Sequence, residues 1–388
     1  MRLRMQIPCV EPDVYARPPD RCPECGNPTF HSHGRKDKPI RDTRLDGVTV
    51  RRIQCTQCAK TLRLYPQGIT ARDQSERVRA FSILLWLLGL SYRGVEDALT
   101  ALGVTLKKSQ IFNNVQTLGE RVRQLQEKRL GQHRVRILAG DCTHVRIRGQ
   151  DTVVLQLTDG ETGLALAIDL LDGESLEDLL DPIAEIAAAV GAEILLTDDA
   201  DAFKGVADTL GLAHALCQQH VVPNTLTLLV SIAAQLEKLR ERDGLDPETQ
   251  AKVTQAMADI LELENVILWR CPGSQALLDR LARRYEKEPL PRKGQRATPF
   301  ARLKLLTMDL SADWVRLTRS EHQRDAQGQR FIPPTNNVSE QQIGLNIKER
   351  YRTMRGYKSA ASLRRVVTLT AYLRDANDDQ ALIRALAA

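Results

Sequence analysis

Four cysteines in two close pairs are the first side chains whose type and spacing could do chemistry. Cys22 and Cys25 are separated by two residues, Cys55 and Cys58 repeat that spacing, and 29 residues lie between the pairs. Each pair places two thiolates on one tight turn, and two facing turns supply four sulfur ligands for tetrahedral Zn2+. Because four thiolates leave no open position, the predicted zinc is structural rather than catalytic.

The stretch between the cysteine pairs alternates like short strands, over Thr29–His33 and Val48–Ile53, which predicts a zinc ribbon across residues 1–70. His31 and His33 are competing ligands in that stretch, but the four thiolates already fill the site. Basic residues cover this module and predict a phosphate-contact surface, with an ordinary solvated face as the alternative. They are Arg35, Lys36, Lys38, Arg41, Arg44, Arg51 and Arg52.

Two aspartates further along the chain could form a second kind of metal site. Asp141 lies mid-way along a predicted strand, and Asp198 directly follows a short apolar strand. Two carboxylates that converge in a dry site need a cation, and Mg2+ (or Mn2+) prefers oxygen ligands. Asp199 and Asp201 are rivals to Asp198, which is preferred because it follows the apolar run immediately.

The elements around these aspartates predict that they converge. Three strands (135–147, 152–157 and 164–171) are followed by a helix (174–190), a short strand (192–197) and a helix (200–210). This is the order expected of an α/β fold with a ribonuclease H-like mixed sheet, whose first and fourth strands are neighbours. Residues 133–225 are therefore predicted to be the first part of that core.

A third carboxylate is expected late in the chain. Pro333 to Glu340 opens a predicted helix that runs to about Arg352, and the alternative role of Glu340 is a capping box with Asn337. Glu349 and Glu321 are fallbacks for the third acid. Cations follow Glu340, which suits a site that holds both metal and phosphates. The predicted DNA-contacting cations are Lys348, Arg352, Arg355 and Lys358.

Residues 71–132 predict a helix-turn-helix that binds DNA, although plain helical hairpins share the pattern. Helices are expected over 73–88, from the N-cap Ser91 to Gly103, and from about Lys107 onward. The last helix has an apolar side with Ile111, Phe112, Val115 and Leu118. Its polar side carries Ser109, Gln110, Asn113 and Gln116, of which the first three are the predicted DNA-reading residues.

Charge is unevenly distributed in this 388-residue chain, whose formal net charge is +6. Residues 1–80 hold 16 Lys/Arg against 9 Asp/Glu, residues 136–200 hold 3 against 14, and residues 330–375 hold 9 against 3. Basic ends around an acidic middle suit a polyanion held beside a metal.

No membrane span or secretory signal is expected, which predicts a cytosolic protein with reduced cysteines. Neither a His-Glu-x-x-His motif nor a Gly-rich phosphate loop occurs.

Three segments together resemble the signature regions of DDE transposases from bacterial insertion sequences. They are Gly140-Asp-Cys-Thr-His-Val145, Thr197-Asp-Asp-Ala-Asp-Ala-Phe203 and Thr335-Asn-Asn-Val-Ser-Glu340. The stretch Lys348–Ser359 and the Cys217-Gln-Gln-His220 segment also resemble parts of these enzymes. The resemblance implies catalytic and Mg2+-binding roles for Asp141, Asp198 and Glu340. Cys217 and His220 are expected to pack and hydrogen-bond near the site, with direct DNA or metal contact as the alternative.

The chain departs from the compact groups of this family in its spacing. The 141 residues between Asp198 and Glu340 predict a helical insertion over 226–325, and residues 326–388 are the predicted last part of the core. Helices are expected at 225–239, 247–269, 275–286 and 299–310. Trp269 and Trp314 are expected in the core of this insertion. Cys142 stands where many relatives carry an acidic or polar residue.

The reaction that the resemblance implies is hydrolysis at transposon ends followed by attack of the freed 3′-hydroxyl on target DNA. Two metal ions about 4 Å apart would serve both steps, so no Ser or Tyr nucleophile is needed. The expected partners are terminal inverted repeats, target DNA and at least one further copy of the chain. The main rival is a catalytically inactive DNA-binding regulator derived from such an enzyme, and the second is a ribonuclease H-like nuclease such as a junction resolvase.

Overall fold

The N-terminal part of the protein consists of two small antiparallel sheets. The computed structural model describes residues 7–269, 273–292, 294–354 and 357–375. One sheet pairs β1 (Glu11–Tyr15) with β5 (Pro66–Gln67), and the other contains β2 (Phe30–Pro39), β3 (Gly47–Cys55) and β4 (Thr61–Leu64). The two strands predicted between the cysteine pairs are thereby confirmed as β2 and β3, which are longer than expected.

Three helices follow these sheets, where the sequence predicts them: α1 (Glu76–Leu87), α2 (Tyr92–Ala101) and α3 (Lys108–Leu130). Ser75 and Ser91 cap the first two, because each hydroxyl accepts from a backbone N–H three residues on, at 3.1 and 3.0 Å. The expected N-cap at Ser91 is confirmed. Gly103, with φ of 79°, makes the turn into α3 in the left-handed region that favours glycine.

Two residues of α3 differ in burial from the prediction, which placed Phe112 on the apolar side of the helix and Gln116 on the polar side. Phe112 is 39% exposed and packs edge-on against Tyr92, and Gln116 is 8% exposed and donates to the Ser362 hydroxyl at 2.9 Å. Gln116 is buried because α12 (Ala360–Asp375) packs along this part of α3. The contact is close, since a Cβ at Gly119 would lie 2.6 Å from the Arg365 carbonyl oxygen.

A five-stranded mixed sheet forms the middle of the protein, and the expected α/β class is confirmed. Its strands are β6 (Ile137–Ile147), β7 (Gln150–Asp159), β8 (Ala165–Leu171), β9 (Ile194–Thr197) and β10 (Ala213–Leu216), in the order β10-β9-β6-β7-β8. β6, β7 and β8 are antiparallel, whereas β9 is parallel to β6 and to β10. The helices α4 (Leu176–Val190) and α5 (Asp201–Leu210) flank β9, as predicted, and β10 is a strand that the sequence analysis missed.

The two faces of this sheet are covered by different parts of the chain. Leu138, Leu155 and Leu157 lie on one face and pack with α4 and α5. On the other face, Val145 and Val154 join a cluster that includes the apolar side chains of α1, α2, α3 and α12. The N-terminal helices therefore share one hydrophobic core with the sheet and the C-terminal helices.

The predicted helical insertion consists of four helices with a hydrophobic cluster of their own. They are α6 (Gln218–Arg240), α7 (Pro247–Trp269), α8 (Ser274–Tyr285) and α9 (Pro299–His322). Trp314 is 5% exposed, which confirms its expected place in the core, but Trp269 is 72% exposed and that prediction is wrong. Trp269 ends α7, where no described helix packs over its indole.

The chain then returns to the sheet through α10 (Asn337–Ile343), a π-helical turn (Gly344–Lys348) and α11 (Glu349–Met354). The predicted helix to about Arg352 is confirmed, with the π turn as an interruption that the sequence does not signal. Such turns widen a helix locally and are frequent at functional sites. Among the described residues, no helix combines the length and apolarity that a membrane crossing requires.

Candidate active site and metal centres

Asp141 lies in β6, and Asp198 directly follows the end of the neighbouring parallel strand β9. Ala139 of β6 pairs with Leu196 of β9. Asp141 follows Ala139 by two residues, and Asp198 follows Leu196 by two residues. Since side chains alternate along a strand, Asp141 leaves the face of the sheet that carries Ala139, and the carboxylate of Asp198 is close enough to raise the pKa of Asp141. The sheet register thus brings together the two aspartates chosen from the sequence.

The two rival aspartates have a different partner. Asp199 Oδ1 lies 2.7 Å from Lys204 Nζ, and Asp201, whose side chain is 99% exposed, lies 3.4 Å from the same ammonium. Asp198 is instead half-buried, and its Oδ1 accepts from the Ala200 backbone N–H at 3.2 Å. This short turn fixes the direction in which the chain leaves β9.

Glu340 reaches the same face of the sheet on α10, which is anchored beside Asp141. The buried amide of Asn336, just before α10, donates through Nδ2 to the Gly140 carbonyl at 2.8 Å. On the other side, Gln342 Nε2 donates to the Gly163 carbonyl at 2.9 Å. The capping-box alternative for Glu340 is wrong, because Asn336 is the N-cap and no side chain caps this helix. Its carboxylate is therefore not used to hold the helix end.

The charges around Asp141 show how these groups share one electrostatic site. Burial raises the pKa of Asp141 to about 6, and the carboxylates of Asp198 and Glu340 add to the rise. A hydrogen bond from the Cys142 N–H (2.8 Å) and the ammonium of Lys348 act in the opposite direction. A carboxylate held in this way loses its proton more readily when a cation binds beside it.

The acidic set fits hard divalent cations that accept oxygen ligands. Asp141, Asp198 and Glu340 do not form a group of three whose ligand oxygens all lie within 4.8 Å of one another in the described part of the chain. The fallback Glu321 is engaged elsewhere, since its Oε1 accepts from Gln218 Nε2 at 3.0 Å.

Gln156 is a site residue that the sequence analysis missed. It pairs directly with Asp141 across β6 and β7, so both side chains leave the same face of the sheet. Gln156 is fully buried, and neither its Nε2 nor its Oε1 has a hydrogen-bond partner within the protein. The sequence signal is a polar residue inside an apolar run, and only the strand register connects that residue to Asp141.

Cations surround this site in two different environments. Lys348, Arg352 and Lys358 are exposed, as a phosphate-contact role requires, and Arg355 lies outside the described residues. Arg350 is instead 3% exposed, and its guanidinium stacks 3.9 Å above the Trp86 ring of α1. None of its three nitrogens has a hydrogen-bond partner, so Arg350 links α11 to the N-terminal helices through stacking.

The four N-terminal cysteines form a compact cluster that suits Zn2+. Their sulfurs all lie within 4.8 Å of one another, and Cys22–Cys58 and Cys25–Cys55 are each 3.6 Å apart. Zn–S bonds of about 2.3 Å in a tetrahedron place the sulfurs about 3.8 Å apart, so little movement is needed. The backbone N–H groups of Cys58 and Gln57 lower the pKa of Cys55, whereas desolvation and the neighbouring sulfurs raise the pKa of Cys58, so without a metal the cluster favours one thiolate among thiols.

The predicted DNA-reading residues of α3 differ in their surroundings. Ser109 and Asn113 are exposed at the start of the helix. Gln110 is partly buried, and its Oε1 accepts from Arg41 Nη1 at 2.7 Å and from the Lys107 N–H at 3.1 Å. Gln110 therefore caps α3 and joins it to the zinc-binding module, which leaves fewer of its atoms for a base edge.

Comparison with known proteins gives similar solved structures but no sequence family. No protein-family profile and no curated protein matches the chain. The catalytic core domain of HTLV-2 integrase, in complex with magnesium in a trimeric form, shares 14% identity over 32% of this chain and 84% of that one, with a TM-score of 0.20. The catalytic core domain of BIV integrase shares 13% identity over 54% of this chain and 96% of that one, with a TM-score of 0.18.

Proposed function

We propose that the protein is a DNA transposase of the DDE type with a ribonuclease H-like core. One observation carries the proposal: Asp198 leaves the end of β9 beside β6, the strand that carries Asp141, and the Glu340 helix is docked on Gly140 next to Asp141. The strand order β10-β9-β6-β7-β8 supports it, because it puts the first strand of the core, β6, beside the fourth, β9, as expected of a ribonuclease H-like sheet. Asp141, Asp198 and Glu340 would hold two Mg2+ or Mn2+ ions.

Bound divalent ions would supply activation of the attacking oxygen and stabilisation of the leaving oxygen. The protein's own residues set up that chemistry. The Cys142 N–H donates to one oxygen of Asp141, and the other oxygen would be left for a metal ion. Asn336 fixes α10 on Gly140, and so fixes the distance between Glu340 and the aspartates. Gln156 is placed to orient the Asp141 carboxylate through its unpartnered amide.

DNA phosphates would be held by the exposed cations that follow Glu340, namely Lys348, Arg352 and Lys358, with Arg355 added from the sequence. The zinc ribbon and the helices α1–α3 are proposed to bind the transposon ends, through the basic residues of the first module and through Ser109, Gln110 and Asn113 of α3. Because joining two ends to one target requires two active sites, we propose at least a dimer on DNA.

The deciding experiment uses the genomic sequences that flank the gene, where the recognised ends of such an element would lie. A labelled duplex of each flank is incubated with the protein and Mg2+, and binding and strand scission are measured separately. The proposal expects a cut at the element boundary that leaves a 3′-hydroxyl. It also expects that Asp141→Asn abolishes the cut and keeps binding, whereas the exposed Asp172→Asn control cuts normally.

The inactive-regulator alternative gives a different result in the same assay. A regulator would bind the flanks without cutting them, and its binding would be the same with and without Mg2+. Binding without scission by the unaltered protein would therefore overturn the transposase proposal. Scission of branched DNA in preference to the flanks would favour the resolvase alternative.

A further inference from the structure

Cys217, His220 and Glu340 form a second cluster of metal-ligating side chains. One ligand atom from each lies within 4.8 Å of the others. Cys217 is the N-cap of α6 and His220 is three residues on, so the thiol and the imidazole lie side by side at the first turn of this helix. Glu340 comes from the first turn of α10, and so the cluster lies between two helix N-termini.

Backbone contacts hold these two helix ends together. The Asn336 N–H donates to the Cys217 sulfur at 3.2 Å, and the Gln218 N–H donates to the Pro334 carbonyl at 2.9 Å. Cys217 is fully buried, whereas the side chains of His220 and Glu340 are 44% and 31% exposed. The two helix ends thus hold the cluster in place, and the side chains of His220 and Glu340 extend from it to the protein surface.

The facing atoms of His220 and Glu340 lack a partner in the protein. His220 Nδ1 and Glu340 Oε1 are both buried atoms without a hydrogen bond, and they lie 3.7 Å apart. A charge-assisted N–H···O bond is about 2.7–2.9 Å long, so this separation is not that of a hydrogen-bonded pair. Two lone-pair-bearing atoms at this spacing, beside a cysteine sulfur, leave room for a cation between them.

The donor set selects the kind of cation. Sulfur and imidazole nitrogen favour Zn2+ over Mg2+, which takes oxygen ligands, and three protein ligands leave a fourth position open. We propose that Cys217, His220 and Glu340 form a three-ligand site for Zn2+ or a similar thiophilic divalent cation, separate from the four-cysteine site. This assignment depends only on the cluster itself.

A consequence follows if Glu340 is also the third acid of the active site, and it rests on the proposed function. A carboxylate that binds Zn2+ beside Cys217 is no longer free to complete the Mg2+ site with Asp141 and Asp198. Occupation of this cluster would therefore inhibit DNA cleavage. The cluster would make the protein's activity sensitive to free zinc, with Glu340 as the shared ligand.

Metal binding is tested first, without reference to activity. The full chain is loaded with one equivalent of Zn2+ at the four-cysteine site and then titrated with Co2+, whose thiolate absorption reports a cysteine ligand. We expect a second equivalent with that absorption, weakened at least about tenfold in Cys217→Ser and in His220→Gln. Cys142→Ser is the matched control, because Cys142 is a half-buried thiol beside Asp141 outside the cluster, and it should bind as the unaltered protein does.

Two results would overturn the site. One is that the unaltered protein binds no second equivalent of Co2+, and the other is that both cluster variants bind it as tightly as the unaltered protein does. The His220→Gln variant keeps the test decisive if Cys217→Ser fails to fold. The inhibitory role is read from DNA cleavage in Mg2+ with and without added Zn2+, each variant compared with its own zinc-free rate. Second-site binding without any cleavage would refute the transposase proposal alone, whereas cleavage that zinc inhibits equally in Cys217→Ser would refute the inhibitory role alone.

Discussion

Replacement of Asp141 by asparagine should stabilise the metal-free protein while it removes Mg2+ binding. Burial raises the pKa of Asp141 from 3.8 to about 6, so the folded protein binds this proton more tightly than the unfolded chain does. The group therefore favours the folded state below pH 3.8, and that contribution is lost as the pH rises through 6. Above this window the ionised carboxylate destabilises the fold.

The size of the effect follows from the shift. A rise of about two pKa units, at 1.36 kcal/mol each, corresponds to a cost of about 3 kcal/mol once Asp141 is ionised. Asparagine carries no charge, and its side-chain oxygen can keep the bond from the Cys142 N–H. Because an amide also loses hydration on burial, we expect a gain of about 1–3 kcal/mol in the free energy of unfolding.

Denaturant unfolding checks this at about pH 7.5, above the window from pH 3.8 to about 6, and at about pH 4.5, in the lower part of that window, where most of the cost is still absent. Asp141→Asn should gain stability at the higher pH and less at the lower, and added Mg2+ should stabilise the unaltered protein but not Asp141→Asn. Asp172→Asn, at an exposed position, should change neither. A variant less stable at pH 7.5, or equally stabilised at both pH values, would refute the buried-carboxylate reasoning.

Four further predictions follow from single contacts. Asn336→Ala should lower the free energy of unfolding by about 1–3 kcal/mol in denaturant titration, because it removes the buried bond to Gly140, whereas the exposed Asn337→Ala should not. Arg350→Met should leave the free energy of unfolding unchanged or raise it in the same assay, since the Arg350 guanidinium has no hydrogen-bond partner. An equal decrease in the free energy of unfolding in Arg350→Met and Arg350→Lys would contradict this. Cys22→Ser should lose about one equivalent of zinc by elemental analysis, and retention of that zinc would contradict the four-cysteine site. Mg2+ affinity measured by calorimetry should fall about tenfold from pH 7 to pH 5, because Asp141 with its pKa of about 6 becomes protonated, and a flat pH dependence would contradict a role for Asp141.

Local patterns in the sequence were sufficient for most of the elements and for the zinc cluster. The doubled Cys-x2-Cys spacing predicts four converging thiolates because each pair is confined to one turn, and the four sulfurs do cluster. Alternation predicts the strands that carry Asp141 and end before Asp198, and the helical insertion follows from its apolar periodicity. In each case the decisive information lies within about ten consecutive residues.

What the sequence could not supply depends on contacts between distant segments. Gln156 is connected to Asp141 only through strand register, and Gln116 is buried only because α12 packs on α3. β10 has only four residues, too few for an alternation pattern to stand out. Glu340 looked like a capping residue because the local pattern cannot show that Asn336 is the N-cap and binds Gly140.

The central claim is that Asp141, Asp198 and Glu340 together hold two divalent ions. Anomalous diffraction from crystals soaked in Mn2+ tests it directly, because Mn2+ replaces Mg2+ and can be located by its own scattering. The account predicts two peaks about 4 Å apart, each about 2.2 Å from carboxylate oxygens of this set. Manganese bound elsewhere in the crystal, with no peak between Asp141 and Asp198, would contradict it.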